Sequence, residues 1–282
     1  MKYFLIFIFA VFSAAISFEE ENFEQILPTI LGGSETQWGQ FPSSVIIDGP
    51  HDFCGGSIID SRHILTAASC VLNSRFEIIN PIYWRVIAGD IFFTPPSSRR
   101  VTRSVSRILL QSDYQPFNGE NNLAILRLDS PLPLPSNTIE IARRQTRIIR
   151  DALQCQLVGF GRTVNVTNTA LRTRQIVLPQ TIMNRDACAN NFPHTNRLSE
   201  RMICTQTAVN SAPCSGSLGS GLYCNGFLTG VLSGGNFCNA VPAVYQQVRA
   251  FNTWIDQVIA DRSNSEQLFT PFDTRGFPTP QI

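Results

Sequence analysis

The sequence predicts an all-β protein, barrel or sandwich, finished by a single C-terminal helix. Short runs of aliphatic, β-branched and aromatic residues recur along the chain, each bounded by Gly, Pro, Asn or Ser. That is the pattern of many short strands joined by turns. One segment near the C-terminus departs from it, its apolar spacing changing to that of a helix. Eight cysteines, an even number, add the expectation of disulfide staples.

The elements follow in chain order. Residues 1–17 read as a secretory signal peptide: Lys2 is the positive end, residues 3–12 an apolar core too short to span a bilayer, and Ala15 and Ser17 the small residues before a cleavage after Ser17. An acidic leader, 18–29, carries Glu19, Glu20 and Glu21. Strand-like runs in the first half are Val45–Asp48, Ile64–Ala67, Trp84–Ala88, Val105–Leu110 and Ala124–Leu128. A stretch with Pro131, Pro133 and Pro135 reads as a linker. The second half offers Cys155–Phe160, Gln175–Leu178, Phe227–Leu232 and Ala243–Val248. Val248, Phe251, Trp254, Ile255, Val258 and Ile259 then line one helical face, with Arg249, Asn252, Asp256 and Gln257 opposite. Residues 261–282 form a polar, Pro-containing tail.

Composition excludes several classes. Apart from Lys2 every basic residue is Arg, and 21 acidic residues balance the arginines, so the chain has no charge excess for nucleic acid. No stretch after the leader is apolar enough for a membrane span, and the leader implies a secreted, extracellular protein. No Cys-x-x-Cys pair occurs, and His51, His63 and His194 are scattered, so no zinc site is expected. Counting cysteines leaves their connectivity open.

Five segments in this order resemble the chymotrypsin- and trypsin-like serine proteases (peptidase S1): Ile30-Leu-Gly-Gly33, Trp38-Gly-Gln-Phe-Pro42, Cys54-Gly-Gly-Ser57 with Leu65-Thr-Ala-Ala-Ser-Cys70, Asn121-Asn-Leu-Ala-Ile-Leu-Arg-Leu128, and the loop between Cys214 and Cys224. The resemblance implies two six-stranded antiparallel β-barrels of the trypsin-like fold with a C-terminal α-helix. The domain would span 30–260: barrel one 30–135, linker 136–150, barrel two 151–247, helix 248–260. It also implies the disulfides Cys54–Cys70, Cys155–Cys224, Cys188–Cys204 and Cys214–Cys238, which use every cysteine.

In that family a serine attacks the carbonyl carbon, a histidine takes its proton and an aspartate holds the histidine. The matching positions here are Leu218, Ser69 and Asn122. Leucine has no nucleophilic atom, serine is no base near neutrality and asparagine carries no charge. Losing the serine or histidine alone costs about 10⁶ in turnover in a template enzyme. The resemblance therefore implies a catalytically inactive homologue, a pseudoprotease. The activation switch is altered too: Ser217 stands where an aspartate would pair with a new amino terminus, and Thr29 precedes Ile30 where an activating cut wants Arg or Lys. The specificity-pocket positions are Ala212, beside Pro213, with Gly235 and Ala243; Gly234 stands at the usual tryptophan, and Gly216 keeps one oxyanion-hole amide. Ser217 and Ser220 read as turn residues rather than nucleophiles, and the three histidines as surface or packed side chains.

Asn165-Val-Thr167 is a glycosylation sequon. Arg143, Arg144, Arg147 and Arg150 form a candidate anion-binding run, as do Arg99, Arg100, Arg103 and Arg107; Glu140 and Asp151 make a solvated face the competing reading. The stretch 89–100 offers only Asp90 to a calcium ion, too few oxygens for a site. The expected function is binding or regulation in an extracellular protease cascade, with an active protease or its substrate as partner and no cofactor. The alternatives are a glycan- or microbe-binding effector, for which a sulfated glycan would be the ligand, and a serine endopeptidase.

Overall fold

Period-two alternation sorts the side chains between barrel interiors and the surface where two barrels meet. The structure, a computed structural model, describes residues 30–50, 53–161, 174–192, 198–208, 211–214, 216–235 and 242–261. Its strands are β1 (Ile30–Leu31), β2 (Ser34–Glu35), β3 (Ser44–Asp48), β4 (Phe53–Asp60), β5 (His63–Thr66), β6 (Arg85–Ala88), β7 (Val101–Leu110), β8 (Ala124–Leu128), β9 (Gln154–Gly161), β10 (Arg174–Met183), β11 (Met202–Gln206), β12 (Ala212–Pro213), β13 (Gly221–Cys224), β14 (Phe227–Gly235) and β15 (Ala243–Gln247). A short helix, α1 (Arg185–Ala189), follows β10, and a 3-10 turn, Val248–Phe251, leads into α2 (Asn252–Ala260).

Strands β3-β4-β5-β8-β7-β6 close the first barrel. In the second, β11-β15-β14-β13-β9-β10 closes through β10–β11 pairing, with β2 added at the edge of β10. Every ladder is antiparallel, as the resemblance implied.

Along β3, β5 and β8, Val45, Ile47, Ile64, Ala124 and Leu126 enter the first core. Their neighbours Leu65 and Ile125 point the other way, into a seam cluster that Val158, Val177, Tyr223 and Val231 reach from the second barrel. Leu157, Ile176, Leu178, Leu222 and Leu232 fill the second core. A strand covered on both faces is buried at consecutive positions, which is why these segments read as continuous apolar runs.

The 3-10 turn lays Val248 and Phe251 on the seam and α2 adds Ile255, with Trp254, Val258 and Ile259 partly buried beside them, so the expected helix 248–260 opens as a 3-10 turn. Arg144 clamps it, pairing with Asp256 and donating to Asn252 Oδ1 at 3.1 Å.

Each strand-like run in the sequence lies in or against a strand; Trp84, Ala67 and Val248 fall one residue outside. Strands β4, β11 and β13 carry little apolar signal. In β4 the reason is Gly55 and Gly56: a Cβ on Gly55 would stand 2.1 Å from Ser220 Oγ, and one on Gly56 would meet Ile64 and Ile47. Close contact between and within the barrels demands glycine there, at the expense of the β pattern.

Cys54–Cys70, Cys155–Cys224 and Cys188–Cys204 are bonded as the resemblance implied. Cys214 is disulfide-bonded as well, and its implied partner Cys238 lies outside the described residues, as do the signal peptide, leader, the tail beyond Asp261, sequon, His51 and His194. Among the described residues no helix is long and apolar enough to cross a membrane.

Candidate functional site

The site lies on the seam, where turns from both barrels meet. After β5 the chain makes a 3-10 turn, Ala68–Val71, tied back to β4 by Cys54–Cys70. That turn carries Ser69. Asn122, 2% exposed, stands just before β8. The two are joined twice: Ser69 N–H donates to Asn122 Oδ1 at 2.9 Å, and Asn122 Nδ2 lies 3.0 Å from Ser69 Oγ. The same amide donates to the Ser233 carbonyl on β14, at 3.1 Å. A backbone N–H can only donate and a carbonyl can only accept, so the network sets the amide orientation. A side chain with both a donor and an acceptor is what this arrangement uses.

Ser233 is a residue that sequence reading missed. Its hydroxyl donates to the Val244 carbonyl at 3.3 Å and lies 3.1 Å from Gln246 Nε2, which also donates to the Gly119 carbonyl at 2.8 Å. Arg201 reaches Asn121 Oδ1 at 3.1 Å. Tyr223 places its hydroxyl between Ser43 and Ser57, at 2.9 and 3.2 Å. Burial raises the Tyr223 pKa, with the two serine hydroxyls pulling it back. The Gln246–Gly119, Arg201–Asn121 and Tyr223–Ser43/Ser57 bonds join one barrel to the other, while Ser233 binds Val244 and Gln246 within the second.

The loop with Leu218 is drawn tight by its own backbone. Ser217 N–H donates to the Cys214 carbonyl at 3.0 Å, Gly219 N–H to Leu232 at 2.9 Å, and Gly55 N–H to the Leu218 carbonyl at 2.8 Å. Gly219 has φ +78°, and a Cβ there would sit 2.1 Å from Thr66 Oγ1, so both conformation and space require glycine. Gly216 also has positive φ, +87°. The Leu218 side chain is half-buried against the first core, in the cluster that includes Cys54 and Cys70. The structure thus joins Ser69 and Asn122 directly, and brings Leu218 to the same barrel wall.

The neighbouring hydroxyls are inaccessible: Ser217 and Ser220 are fully buried, and Ser220 Oγ faces the Gly55 and Gly159 backbones. His63, also buried, binds Asp60 Oδ1 through Nδ1 at 2.9 Å. Burial alone would raise the Asp60 pKa, but hydrogen bonds from His63 and Arg62 N–H outweigh it and hold the carboxyl below its ordinary value. His63 opens β5 whereas the Ser69 turn follows its other end, with roughly 10 Å of strand between them.

At the pocket positions Ala212 and Ala243 are buried, and the β14–β15 register sets Gly235 opposite Ala243. Ile30 is fully buried in the second core, its segment paired with Ala212–Pro213. Strand pairing and apolar burial seat this segment.

Of the first arginine run, Arg143, Arg147 and Arg150 are exposed, and Arg144 is committed to Asp256. In the second, Arg99 stacks on Trp38, and Arg103 binds the Pro131 carbonyl. Arg100 binds Asp90 at 3.0 Å and the Phe92 and Phe93 carbonyls at 2.6 Å. A guanidinium thereby takes the oxygens of the 89–100 loop. Among the described residues no cluster of His, Cys, Asp and Glu could hold a metal ion.

The trypsin family model matches residues 30–255. The chain is 30% identical over 231 residues to trypsin alpha-4 of Lucilia cuprina, covering 80% of this chain and 86% of that protein. It is 30% identical over 249 residues to trypsin zeta of Drosophila erecta, with 82% and 85% covered. Trypsin-2 of Salmo salar is 27% identical over 234 residues, with 82% and 95% covered.

Proposed function

The chain belongs to the trypsin family, and from that premise we propose that it is a secreted, non-catalytic member, a pseudoprotease that binds and regulates rather than cuts. One observation carries the reading: at the three positions where the family's chemistry needs a nucleophile, a base and a carboxylate stand Leu218, Ser69 and Asn122. The bonding of Ser69 and Asn122 supports it. Their polar atoms are spent on each other and on Ser233, joining the barrels, with no side chain there to accept a proton at neutral pH. The three observed disulfides fit an extracellular protein. The partner is an extracellular protein, an active protease or its substrate.

The test is labelling with a fluorophosphonate serine-hydrolase probe, trypsin serving as positive control. The expected result is no covalent adduct on this chain. An adduct mapping to Ser69, Ser217 or Ser220 would overturn the proposal in favour of the endopeptidase reading, which the chain's trypsin relatives favour.

A second reading rests on the exposure of Arg143, Arg147 and Arg150: a surface for sulfated glycans. Salt-sensitive retention on heparin, lost when these three are neutralised, would favour it.

A further inference from the structure

Two phenylalanines stand outside the cores in a way packing does not explain. Phe117 is 88% exposed and Phe76 is 47% exposed, yet their rings meet edge to face with centroids 5.6 Å apart. Phe76 has φ +61°, a conformation that is a genuine outlier for a bulky side chain. Solvent gives no reason to hold an aromatic ring out on a strained backbone, and such strain gathers where a surface is used.

Both supporting loops are braced by their own hydrogen bonds. In the first, Asn73 Oδ1 accepts from the N–H groups of Arg75 and Glu77 at 2.8 and 3.0 Å, and Phe76 N–H donates to the Asn73 carbonyl. In the second, Gln115 N–H donates to the Glu120 carbonyl and Gly119 N–H to the Gln115 carbonyl, each at 2.9 Å. Gln246 fastens that loop to the second barrel through the Gly119 carbonyl. The first loop leaves the turn that carries Ser69, and the second runs into Asn121 and Asn122. The ring pair therefore stands on two anchored loops, one following the Ser69 turn in the chain and one leading into Asn122, which bind with little ordering cost.

Charge identifies the occupant. The two loops carry Glu77, Asp113 and Glu120 against a single base, Arg75. Among the described residues none of the three carboxylates has an ion-pair partner.

We propose that the Phe76–Phe117 pair anchors a docking surface for a basic segment of another protein. An apolar side chain of that segment packs on the rings, and flanking lysines or arginines meet the unpaired carboxylates. Aromatic anchors of this kind dominate interface energetics, and unlike charges at the rim select the partner. An anionic membrane is the wrong counterpart for an acidic rim.

The test uses the full chain on an array of immobilised dodecapeptides, each with a central Leu, Trp or Ser and flanks of Arg, Ser or Glu. Peptides with Arg flanks and a central Leu or Trp are expected to retain it. Phe117→Ser should cut retention about tenfold, and a Glu77→Lys/Glu120→Lys variant should lose the preference for Arg flanks. Phe117 is exposed, so an unchanged melting temperature will certify the fold of that variant. Equal retention by Glu-flanked peptides, or retention indifferent to Phe117, would overturn the proposal. So would Phe117-dependent flotation with phosphatidylcholine/phosphatidylserine vesicles, which would assign the rings to a bilayer. The proposal rests on the binding reading above, but the readouts are separate: a fluorophosphonate adduct would sink that reading and leave the array result standing, and a blank array would do the reverse.

Discussion

The first barrel is filled almost wholly by aliphatic side chains such as Val45, Ile58, Ile64 and Leu126, whereas the second keeps buried polar groups among its aliphatics. There Gln180 Oε1 accepts from Thr205 Oγ1 and from the Tyr245 hydroxyl, all inside a shell that includes Leu178 and Leu232. Aliphatic contacts are non-directional, so the first core needs only the right volume. A buried polar trio must be satisfied as a unit. The second barrel also contains two of the three observed disulfides. The contrast teaches that one sequence has built two similar barrels by different means, one by aliphatic packing with a single observed staple and one by packing with two staples and a polar centre.

The staples offer the largest test. Chain entropy predicts that opening Cys155–Cys224, with a sequence separation of 69, costs about 4 kcal/mol, against about 3 kcal/mol for Cys54–Cys70, with a separation of 16. Paired Cys→Ala variants in urea unfolding should show that order; the reverse would erase the distinction between the barrels. In the first core, Leu126→Ala should lose about 3 kcal/mol through the cavity it leaves.

At the seam, Asn122→Asp removes a donor and turns a carboxylate towards the Ser233 carbonyl. The expected loss is about 2 kcal/mol at neutral pH. Burial raises the new carboxyl's pKa, so the loss should grow as pH rises above the ordinary carboxylate range and vanish below it. A variant as stable as the parent at neutral pH would mean that the amide is not what the site requires. In the second core, Thr205→Val should cost about 1 kcal/mol, and adding Gln180→Met should recover part of it by removing the stranded partner.

The smallest effects have opposite signs in the two barrels. Asp60, at the end of β4, has its pKa held below the ordinary 3.8, so its contribution is present above that value and fades as pH falls through the lower folded value. Tyr245, in the second core, has its pKa raised by burial, with Thr205 opposing, so its contribution is complete below pH 10 and fades as pH climbs beyond it. Melting temperature against pH should flatten on its acid side in Asp60→Asn and lose part of its alkaline fall in Tyr245→Phe; Tyr223, also raised by burial, supplies another part.

The candidate site was legible to the extent that cysteines pin the register. Cys70 places Ser69, and Cys214 places Leu218, whatever the loops between them do. What those residues bind was not legible. The Ser233 carbonyl is 111 positions from Asn122, and Arg201 is 80 from Asn121. No local pattern announces such a bond, because each partner is an ordinary polar residue until the barrels close. The glycine-bearing strands β4 and β13 were missed for a related reason: Gly55 and Gly221 are there to let another segment approach, and that segment is distant in sequence.

By itself, then, the sequence determined the strand periodicity, the amphipathic helix and the identity of residues 69, 122 and 218, since these follow from side-chain chemistry at fixed spacings. Only the tertiary structure decided that Ser69 and Asn122 bond to each other and to the second barrel, that Ser217 and Ser220 are sealed from solvent, and that two exposed phenylalanines from separate loops meet. Those facts depend on which surfaces face one another, and that is set when both barrels bury their outer strand faces in a common seam.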